Sequence, residues 1–221
     1  MIVAQRKPLE EISKMVANYK KVLIVGCGEC VTVCHSGGEK EVAILASELK
    51  ILRNKEGNSI EIEEITIRRQ CEPEFIAEIA EKYTTADAII SMACGVGVQG
   101  ISDKVPEKEV LPALDTTFYG GLLKPGVWVE RCSGCGTCVL NKTGDICPIV
   151  RCSKSLLNGP CGGSEGGKCE VSKDIDCAWQ LIYDRLKLRG KLDTLEEIVP
   201  IRDWRSAGHG GPRKMVREDL M

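Results

Sequence analysis

Cysteine carries the strongest chemical signal in this sequence. The chain has 221 residues, of which 13 are cysteines and only two are histidines. Residues 1–10 contain no apolar run of the kind that directs secretion, so we expect a cytoplasmic protein with reduced thiols. In that compartment an odd and dense set of cysteines is typical of metal ligands, since a disulfide framework needs oxidising conditions. Scattered buried cysteines that act as small apolar side chains are the alternative.

A first group of cysteines follows the predicted strands of the N-terminal half. Apolar or alternating runs predict strands at 21–25, 60–67 and 86–92. The five cysteines that come after them are Cys27, Cys30, Cys34, Cys71 and Cys94. Because the carboxyl ends of parallel strands meet at one edge of a sheet, these thiolates are expected to converge there. The spacing therefore predicts one metal centre with four ligands drawn from the five.

Two features beside this group have alternative interpretations. The run 26–28 (Gly-Cys-Gly) is similar to the start of a dinucleotide-binding loop, but Val31 stands where G-x-G-x-x-G needs its third glycine. The glycines around position 96 would instead let the backbone wrap a cluster. His35 is either a further ligand or, more typically for a lone histidine near a helix start, a cap or surface residue.

A second group of eight cysteines occupies residues 132–177. They are Cys132, Cys135, Cys138, Cys147, Cys152, Cys161, Cys169 and Cys177. The first three form a C-x₂-C-x₂-C run and the fourth precedes a proline, as in ferredoxin loops that hold a [4Fe–4S] cluster. Eight residues separate the third and fourth cysteines where the bacterial ferredoxin pattern has three, so the assignment of ligands to centres stays open. Two [4Fe–4S] clusters are preferred, and one cluster plus a Cys₄ zinc site is the alternative.

The elements that carry the first cysteine group predict an α/β fold. Helical apolar spacing at 8–20, 39–53 and 72–83 alternates with the predicted strands. Residues 111–114 are a candidate for a short fourth strand. Strands separated by helices in this way predict a Rossmann-like parallel sheet.

Composition divides the chain into three parts. Residues 1–124 are expected to form the parallel-sheet domain, and 125–190 a ferredoxin-like, Cys/Gly-rich domain whose fold depends on metal. Residues 191–221 are expected to be a polar C-terminal tail that includes a flexible end. The apolar face of the helical run 179–186 is expected to pack on the chain's own core, and a partner surface is the alternative.

Charge and hydropathy exclude several classes of function. The chain has 30 basic and 32 acidic residues, a net charge of −2, which argues against a nucleic-acid partner. No apolar run approaches the roughly 18 residues of a membrane span. An enzyme that uses a cluster with an open iron is a weak hypothesis, because no acid–base group accompanies the cysteines. His35 and His209 are the only histidines, and no catalytic residue is predicted.

The cysteine-rich blocks are similar to a known family. CSGCGTC, CPIVRC, NGPCGG, GKCEV and DCAWQLIYDRL together resemble the C-terminal-type domain associated with methylenetetrahydrofolate reductases. The N-terminal VLIVGCGECVTVCHSGGEKEVA resembles the MetV family, the small iron–sulfur companion subunits of acetogenic bacteria. The resemblance implies two or three [4Fe–4S] clusters, or a zinc ion in place of one. It also implies a MetF-like flavoprotein partner that holds the flavin and the folate-binding residues in the Wood–Ljungdahl pathway.

These observations predict an iron–sulfur electron-transfer subunit of a methylenetetrahydrofolate reductase complex. Such a subunit would relay electrons to or from the partner's flavin without catalytic residues of its own, and a further electron-donating subunit is a possible second partner. The alternative is a scaffold subunit, stabilised by zinc or a cluster, that orients the catalytic partner. All 13 cysteines are candidate metal ligands under either hypothesis.

Overall fold

The computed structural model describes all 221 residues and divides into two compact units. Unit 1 comprises Met1–Phe118 and Leu122–Trp128, and unit 2 comprises Tyr119–Gly121 and Val129–Met221. None of the helices combines the length and the apolar character that crossing a lipid bilayer requires.

Seven strands and eight α-helices make up the regular structure. The strands are β1 (Ile2–Arg6), β2 (Lys21–Cys27), β3 (Glu61–Ile67), β4 (Ala88–Met92), β5 (Glu109–Pro112), β6 (Leu114–Lys124) and β7 (Val127–Cys132). The helices are α1 (Leu9–Met15), α2 (Cys30–Val33), α3 (Glu39–Lys55), α4 (Pro73–Ala77), α5 (Ala80–Thr85), α6 (Gly95–Lys104), α7 (Pro148–Arg151) and α8 (Ala178–Leu188). Short 3₁₀-helices span Leu140–Lys142, Leu192–Leu195, Trp204–Ala207 and Glu218–Leu220.

A four-stranded parallel sheet with the order β3-β2-β4-β5 lies at the centre of unit 1. Val25 of β2 pairs with Ile65 of β3 on one side and with Ser91 of β4 on the other. The chain thus places β3 beside β2 and then crosses to the opposite side of β2 to form β4. This confirms the predicted parallel α/β sheet. It also creates a switch point at the carboxyl end of β2, where open α/β sheets bind ligands.

Alternate residues of β2 pack into two separate cores of unit 1. Ile24 lies in one core with Leu45 of α3, and Leu23 and Val25 lie in the other with Ile101 of α6. Side chains of a strand point alternately to the two faces of its sheet. Helices therefore cover both faces of β2, which explains why its sequence is a continuous apolar run.

A second, antiparallel sheet with the order β1-β6-β7 is missing from the sequence prediction. A turn at Pro125-Gly126 joins β6 to β7, and Gly126 adopts a left-handed conformation with φ of 78°. Much of β6 is exposed. Its apolar periodicity is weak for that reason, and the sequence predicts no strand over residues 125–132.

Two predicted helices are shorter in the structure. The helix expected at 8–20 is limited to α1, and the one expected at 72–83 is divided into α4 and α5. The division falls at Ile79, whose φ of −115° and ψ of 20° are not helical. Ile79 is buried in the core of unit 1, so burying this side chain outweighs continuing the helix.

The core of unit 2 is small and centres on α8. Trp179, Ile182 and Leu186 are buried together, and the indole Nε1 of Trp179 donates a hydrogen bond of 3.0 Å to the carbonyl of Leu156. Tyr183 on the same helix is exposed. The expectation that this helix packs on the chain's own core is confirmed for these three side chains.

Replacing Ile182 by alanine is expected to lower the free energy of unfolding of unit 2 by about 2–4 kcal/mol, the usual cost of truncating a buried isoleucine. Urea unfolding under anaerobic conditions measures this change. Leu188→Ala is the matched control on the same helix, because Leu188 is 83% exposed, and it should change stability by less than about 0.5 kcal/mol. Equal effects of the two substitutions would contradict the burial of this helix face.

Candidate functional site

Three cysteines of unit 1 lie together at the switch point of the parallel sheet. Cys27 is the last residue of β2, Cys71 lies four residues beyond the end of β3, and Cys94 lies between β4 and α6. Cys71 and Cys94 are both close enough to influence the pKa of Cys27, and Cys94 also influences that of Cys71. We call Cys27, Cys71 and Cys94 the switch-point trio. The topology brings them to one sheet edge, as their positions after strands predict.

The surroundings of the trio disfavour free thiolates. Burial is the main cause that raises the pKa of Cys27, and Cys71 and Cys94 raise it further. The backbone N–H groups of Gln70 and Glu29 donate to its sulfur and oppose this rise. Burial also raises the pKa of Cys71. A bound cation would stabilise the three thiolates, so the trio suits a metal better than nucleophilic chemistry.

Gln70 fixes the loop that carries Cys71. Its side chain is fully buried. The amide Nε2 donates a hydrogen bond of 2.8 Å to the carbonyl of Val25, and Oε1 accepts one of 2.6 Å from the hydroxyl of Ser91. One side chain thus links the ends of β2 and β4 to the segment after β3. Nothing in the sequence indicates this role of Gln70, because its partners are 21 and 45 residues away.

Close packing of α6 against the same loop requires glycine. A Cβ on Gly97 would lie 2.7 Å from the Cβ of Ala93 and 2.8 Å from that of Gln70. A Cβ on Gly100 would lie 2.5 Å from the carbonyl oxygen of Gln70. These glycines let the helix that follows Cys94 approach the residue that precedes Cys71.

Substituting alanine for Gly97 is expected to lower the free energy of unfolding by about 1–3 kcal/mol, because the added methyl group overpacks the loop. We also expect loss of any metal held by the switch-point trio. Gly95→Ala is the control in the same helix, since its Cβ would meet only the Thr116 hydroxyl at 3.8 Å. Thermal unfolding combined with metal analysis tests the pair, and similar behaviour of the two variants would exclude the packing argument.

The other two cysteines of the first group have different surroundings. Cys34 is buried in the core of unit 1, and its sulfur contacts the carbonyl of Ala4 at 3.8 Å and the hydroxyl of Ser36 at 3.2 Å. Cys30 is the first residue of α2 and is partly exposed. Cys34 thus has the surroundings of a structural thiol, which leaves Cys30 as the more accessible of the two.

The structure shows the surroundings of His35 and of the Gly-Cys-Gly run at 26–28, the two features with alternative interpretations. His35 is exposed, has a left-handed φ of 54°, and lies edge-on to Trp128 with ring centroids 6.2 Å apart. This arrangement supports the interpretation of a surface residue. The N–H of Gly28 donates a hydrogen bond of 2.9 Å to the carbonyl of Ile67, so it is not free to bind a phosphate.

Four cysteines of unit 2 line one small cavity with a volume of about 20 Å³. They are Cys152, Cys161, Cys169 and Cys177, and we call them the cavity set. Trp179 forms part of the wall, and Arg151 brings a positive charge to it. The hydrogen bond of 3.4 Å between the Cys169 sulfur and the Ser153 hydroxyl is the main cause that lowers the pKa of Cys169. The sequence left the grouping of the eight cysteines open, and this cavity brings four of them together.

The remaining cysteines of unit 2 are Cys132, Cys135, Cys138 and Cys147, which we call the loop set. The backbone N–H of Gly134 donates to the sulfur of Cys132 at 3.4 Å. The N–H of Gly163 makes the equivalent contact of 3.5 Å to Cys161 in the cavity set. N–H groups directed at cysteine sulfurs stabilise thiolates and tune the metals that they hold.

No group of three or more histidine, cysteine, aspartate or glutamate side chains has the spacing of a metal site in the structure. The fold does bring the switch-point trio to one sheet edge and the cavity set around one cavity. Both groups consist of thiols, and in the cavity set the backbone N–H of Gly163 is directed at the sulfur of Cys161. The thiol side chains and their convergence at these two places are what favour metal binding.

A separate cavity of about 760 Å³ lies elsewhere in unit 2. It is lined by apolar side chains that include Leu157, Tyr183 and Leu195. No cysteine lines it, so it is separate from the candidate metal ligands.

The C-terminal part of the chain is similar to a known protein family. No curated protein matches the sequence. Among solved structures, an extracellular ligand-binding receptor from Verminephrobacter eiseniae EF01-2 aligns with a TM-score of 0.36 and 12% identity, over 47% of this chain and 28% of the receptor. The chain thus spans less than a third of that protein. Residues 111–205 match the family described as methylene-tetrahydrofolate reductase C terminal, and this segment is therefore similar to the C-terminal domain of that family.

Proposed function

We propose that this chain is the MetV-type iron–sulfur subunit of a methylenetetrahydrofolate reductase complex. In this role it relays electrons to or from the flavin of a MetF-like partner. The family match over residues 111–205 supports the link to this enzyme. The observation that carries the relay role is the placement of Cys147 and Cys152 at the two ends of one short helix, with Cys152 lining a cavity together with three further cysteines.

Helix α7 separates the two sets. Cys147 is the N-cap of this four-residue helix and Cys152 is its C-cap. Cys152 belongs to the cavity set, whereas Ile149 lines a different cavity together with Cys135 of the loop set. At 1.5 Å per residue, the two capping residues lie about 7.5 Å apart along the helix. Two centres held by these sets would be close neighbours, as electron transfer between them requires.

The loop set would hold one [4Fe–4S] cluster and the cavity set a second metal group. When bound, such clusters accept and donate single electrons. The chain's own contribution is to hold the thiolates, to direct the N–H groups of Gly134 and Gly163 at sulfur, and to surround the cavity set with protein.

The switch-point trio would supply three ligands of a third centre. We assign Cys30 as the fourth ligand, since Cys34 faces the core of unit 1 and Cys30 is partly exposed one turn earlier. This assignment selects four of the five predicted ligands. Cys34 is left as a buried structural thiol.

A zinc-stabilised scaffold is the second candidate function, and the size of the cavity favours it. The cavity set surrounds about 20 Å³, and about 10–15 Å³ is the room that one water molecule needs. A cavity of this size is closer to the room for a single metal ion, and four thiolates are the usual tetrahedral ligands of a structural zinc ion. In that case, the cavity set stabilises unit 2 and orients the catalytic partner.

Metal and sulfide analysis of the anaerobically purified chain tests the two functions. The relay function predicts about eight iron atoms for two [4Fe–4S] clusters and about twelve for three, with matching sulfide. A colourless chain that carries zinc and no sulfide would refute the relay and support the scaffold. Reduction of the partner's flavin through the chain, lost when iron is removed, would establish the direction of the relay.

A further inference from the structure

We infer that residues 202–213 form a clamp that holds the C-x₂-C-x₂-C loop in its ligand-binding shape. This inference rests on the proposed function, because it concerns the centre held by the loop set. The sequence predicts a polar tail here with a flexible end. In the structure, three side chains of this segment bond to the backbone of the cysteine loop.

The clamp contacts three backbone carbonyls of the loop. The guanidinium of Arg202 donates to the carbonyl of Thr137 at 2.6 Å and to that of Cys135 at 3.0 Å. The guanidinium of Arg213 donates to the carbonyl of Gly134 at 2.9 Å. The hydroxyl of Ser206 donates to the Cys135 carbonyl at 3.1 Å. The cysteine loop has no regular secondary structure, and the clamp supplies hydrogen-bond donors to three of its carbonyl groups.

The loop also makes room for the clamp. Gly136 has a left-handed φ of 84°, and a Cβ at this position would lie 2.6 Å from the carbonyl oxygen of Ser206. A side chain at position 136 would therefore push residue 206 away. Glycine between the second and third cysteines thus permits both the turn of the loop and the approach of the clamp.

The clamp is itself held together. Arg213 also donates to the carbonyl of Ser206 at 2.5 Å, and the guanidinium of Arg202 lies over the ring of Trp204 at 4.8 Å. Trp204 and His209 line a cavity together with Cys135. The Nε atom of Arg202 is buried and has no hydrogen-bond acceptor in the chain. The clamp thus places a donor and two permanent positive charges beside the loop set.

These contacts assign Arg202 and Arg213 as positioning residues for the loop set. They fix the backbone of the loop that carries Cys132, Cys135 and Cys138 and the N–H of Gly134. Loss of such outer partners commonly weakens metal binding by about 10- to 100-fold. We expect Arg202→Gln to release the metal of the loop set to a chelator faster by a factor in that range. The cavity set should keep its metal at the wild-type rate.

Arg205→Gln is the matched control. Arg205 lies in the same segment, but its side chain is 84% exposed and pairs only with Asp203. It should release metal at the wild-type rate. Arg202→Lys separates charge from geometry, because lysine keeps the charge but lacks the fork that reaches two carbonyls. We expect Arg202→Lys to release metal nearly as fast as Arg202→Gln.

The test uses the full-length chain. Bathophenanthroline measures the rate of iron release, and the electron paramagnetic resonance signal shows which centre loses its iron. Selective acceleration of one centre in the two Arg202 variants supports the clamp. Equal release rates in wild type and all three variants would overturn the clamp and leave the proposed function standing. A wild-type chain that purifies without metal would overturn the proposed function and the clamp with it.

Discussion

In a Cys135→Ala variant, we expect one iron–sulfur centre to disappear while the centre at the cavity set stays. Cys135 is the middle cysteine of the C-x₂-C-x₂-C run, and no other cysteine lies between Cys132 and Cys138 to replace it. The loss should amount to about four irons and four sulfides per chain. Metal analysis and electron paramagnetic resonance of the reduced protein would both report it.

The reciprocal variant is Cys169→Ala in the cavity set. It should remove the second centre and leave the signal of the loop set unchanged. The metal that this variant loses is the metal that the cavity set binds. A loss of iron supports the relay, and a loss of zinc supports the scaffold. If each of the two variants removed both centres, the division of the cysteines at α7 would be wrong.

Cys34→Ala is the matched control for both variants. It deletes the same thiol group from a cysteine that follows a predicted strand. Its sulfur, however, contacts the carbonyl of Ala4 and the hydroxyl of Ser36 in the core. We expect this variant to retain the full metal content and to lose only stability. Loss of iron from it would return Cys34 to the ligands of the switch-point centre.

The two central strands of the parallel sheet, β2 and β4, were predictable because they are buried on both faces. Residues 22–25 of β2 each pack into one core or the other, so this stretch is continuously apolar. By contrast, β6 is largely exposed and carries little apolar signal. The hairpin of β6 and β7 is therefore visible only in the structure. The break between α4 and α5 also escaped prediction, because it depends on the tertiary burial of Ile79.

The candidate ligands were predictable from residue type and from their positions after strands. The convergence of the switch-point trio follows from parallel pairing, which the strand pattern indicates. The grouping of the cavity set does not follow from spacing, because Cys152 and Cys177 are 25 residues apart and meet only when α7 and α8 are placed. The contacts of Arg202 and Gln70 could not be predicted either, because their hydrogen-bond partners are distant in sequence.

Removing metal from the whole chain is expected to unfold unit 2 and leave unit 1 folded. Unit 1 has two extensive apolar cores on either side of a parallel sheet. Unit 2 has one cluster of three buried apolar side chains, Trp179, Ile182 and Leu186. A core of this size rarely stabilises a domain without disulfides or metal. Binding of a structural metal supplies folding free energy, about 10–16 kcal/mol for zinc in small peptide domains.

Limited trypsin digestion of the chelated chain tests this dependence within one molecule. Arg185 lies in α8 of unit 2, and Arg53 lies buried in α3 of unit 1. After chelation, cleavage at Arg185 should become fast while Arg53 stays protected, and restoring metal should reverse the change. Persistent protection of Arg185 without metal would mean that the packing around α8 stabilises unit 2 unaided. The cysteines would then serve chemistry alone, because the fold would not need the metal that they hold.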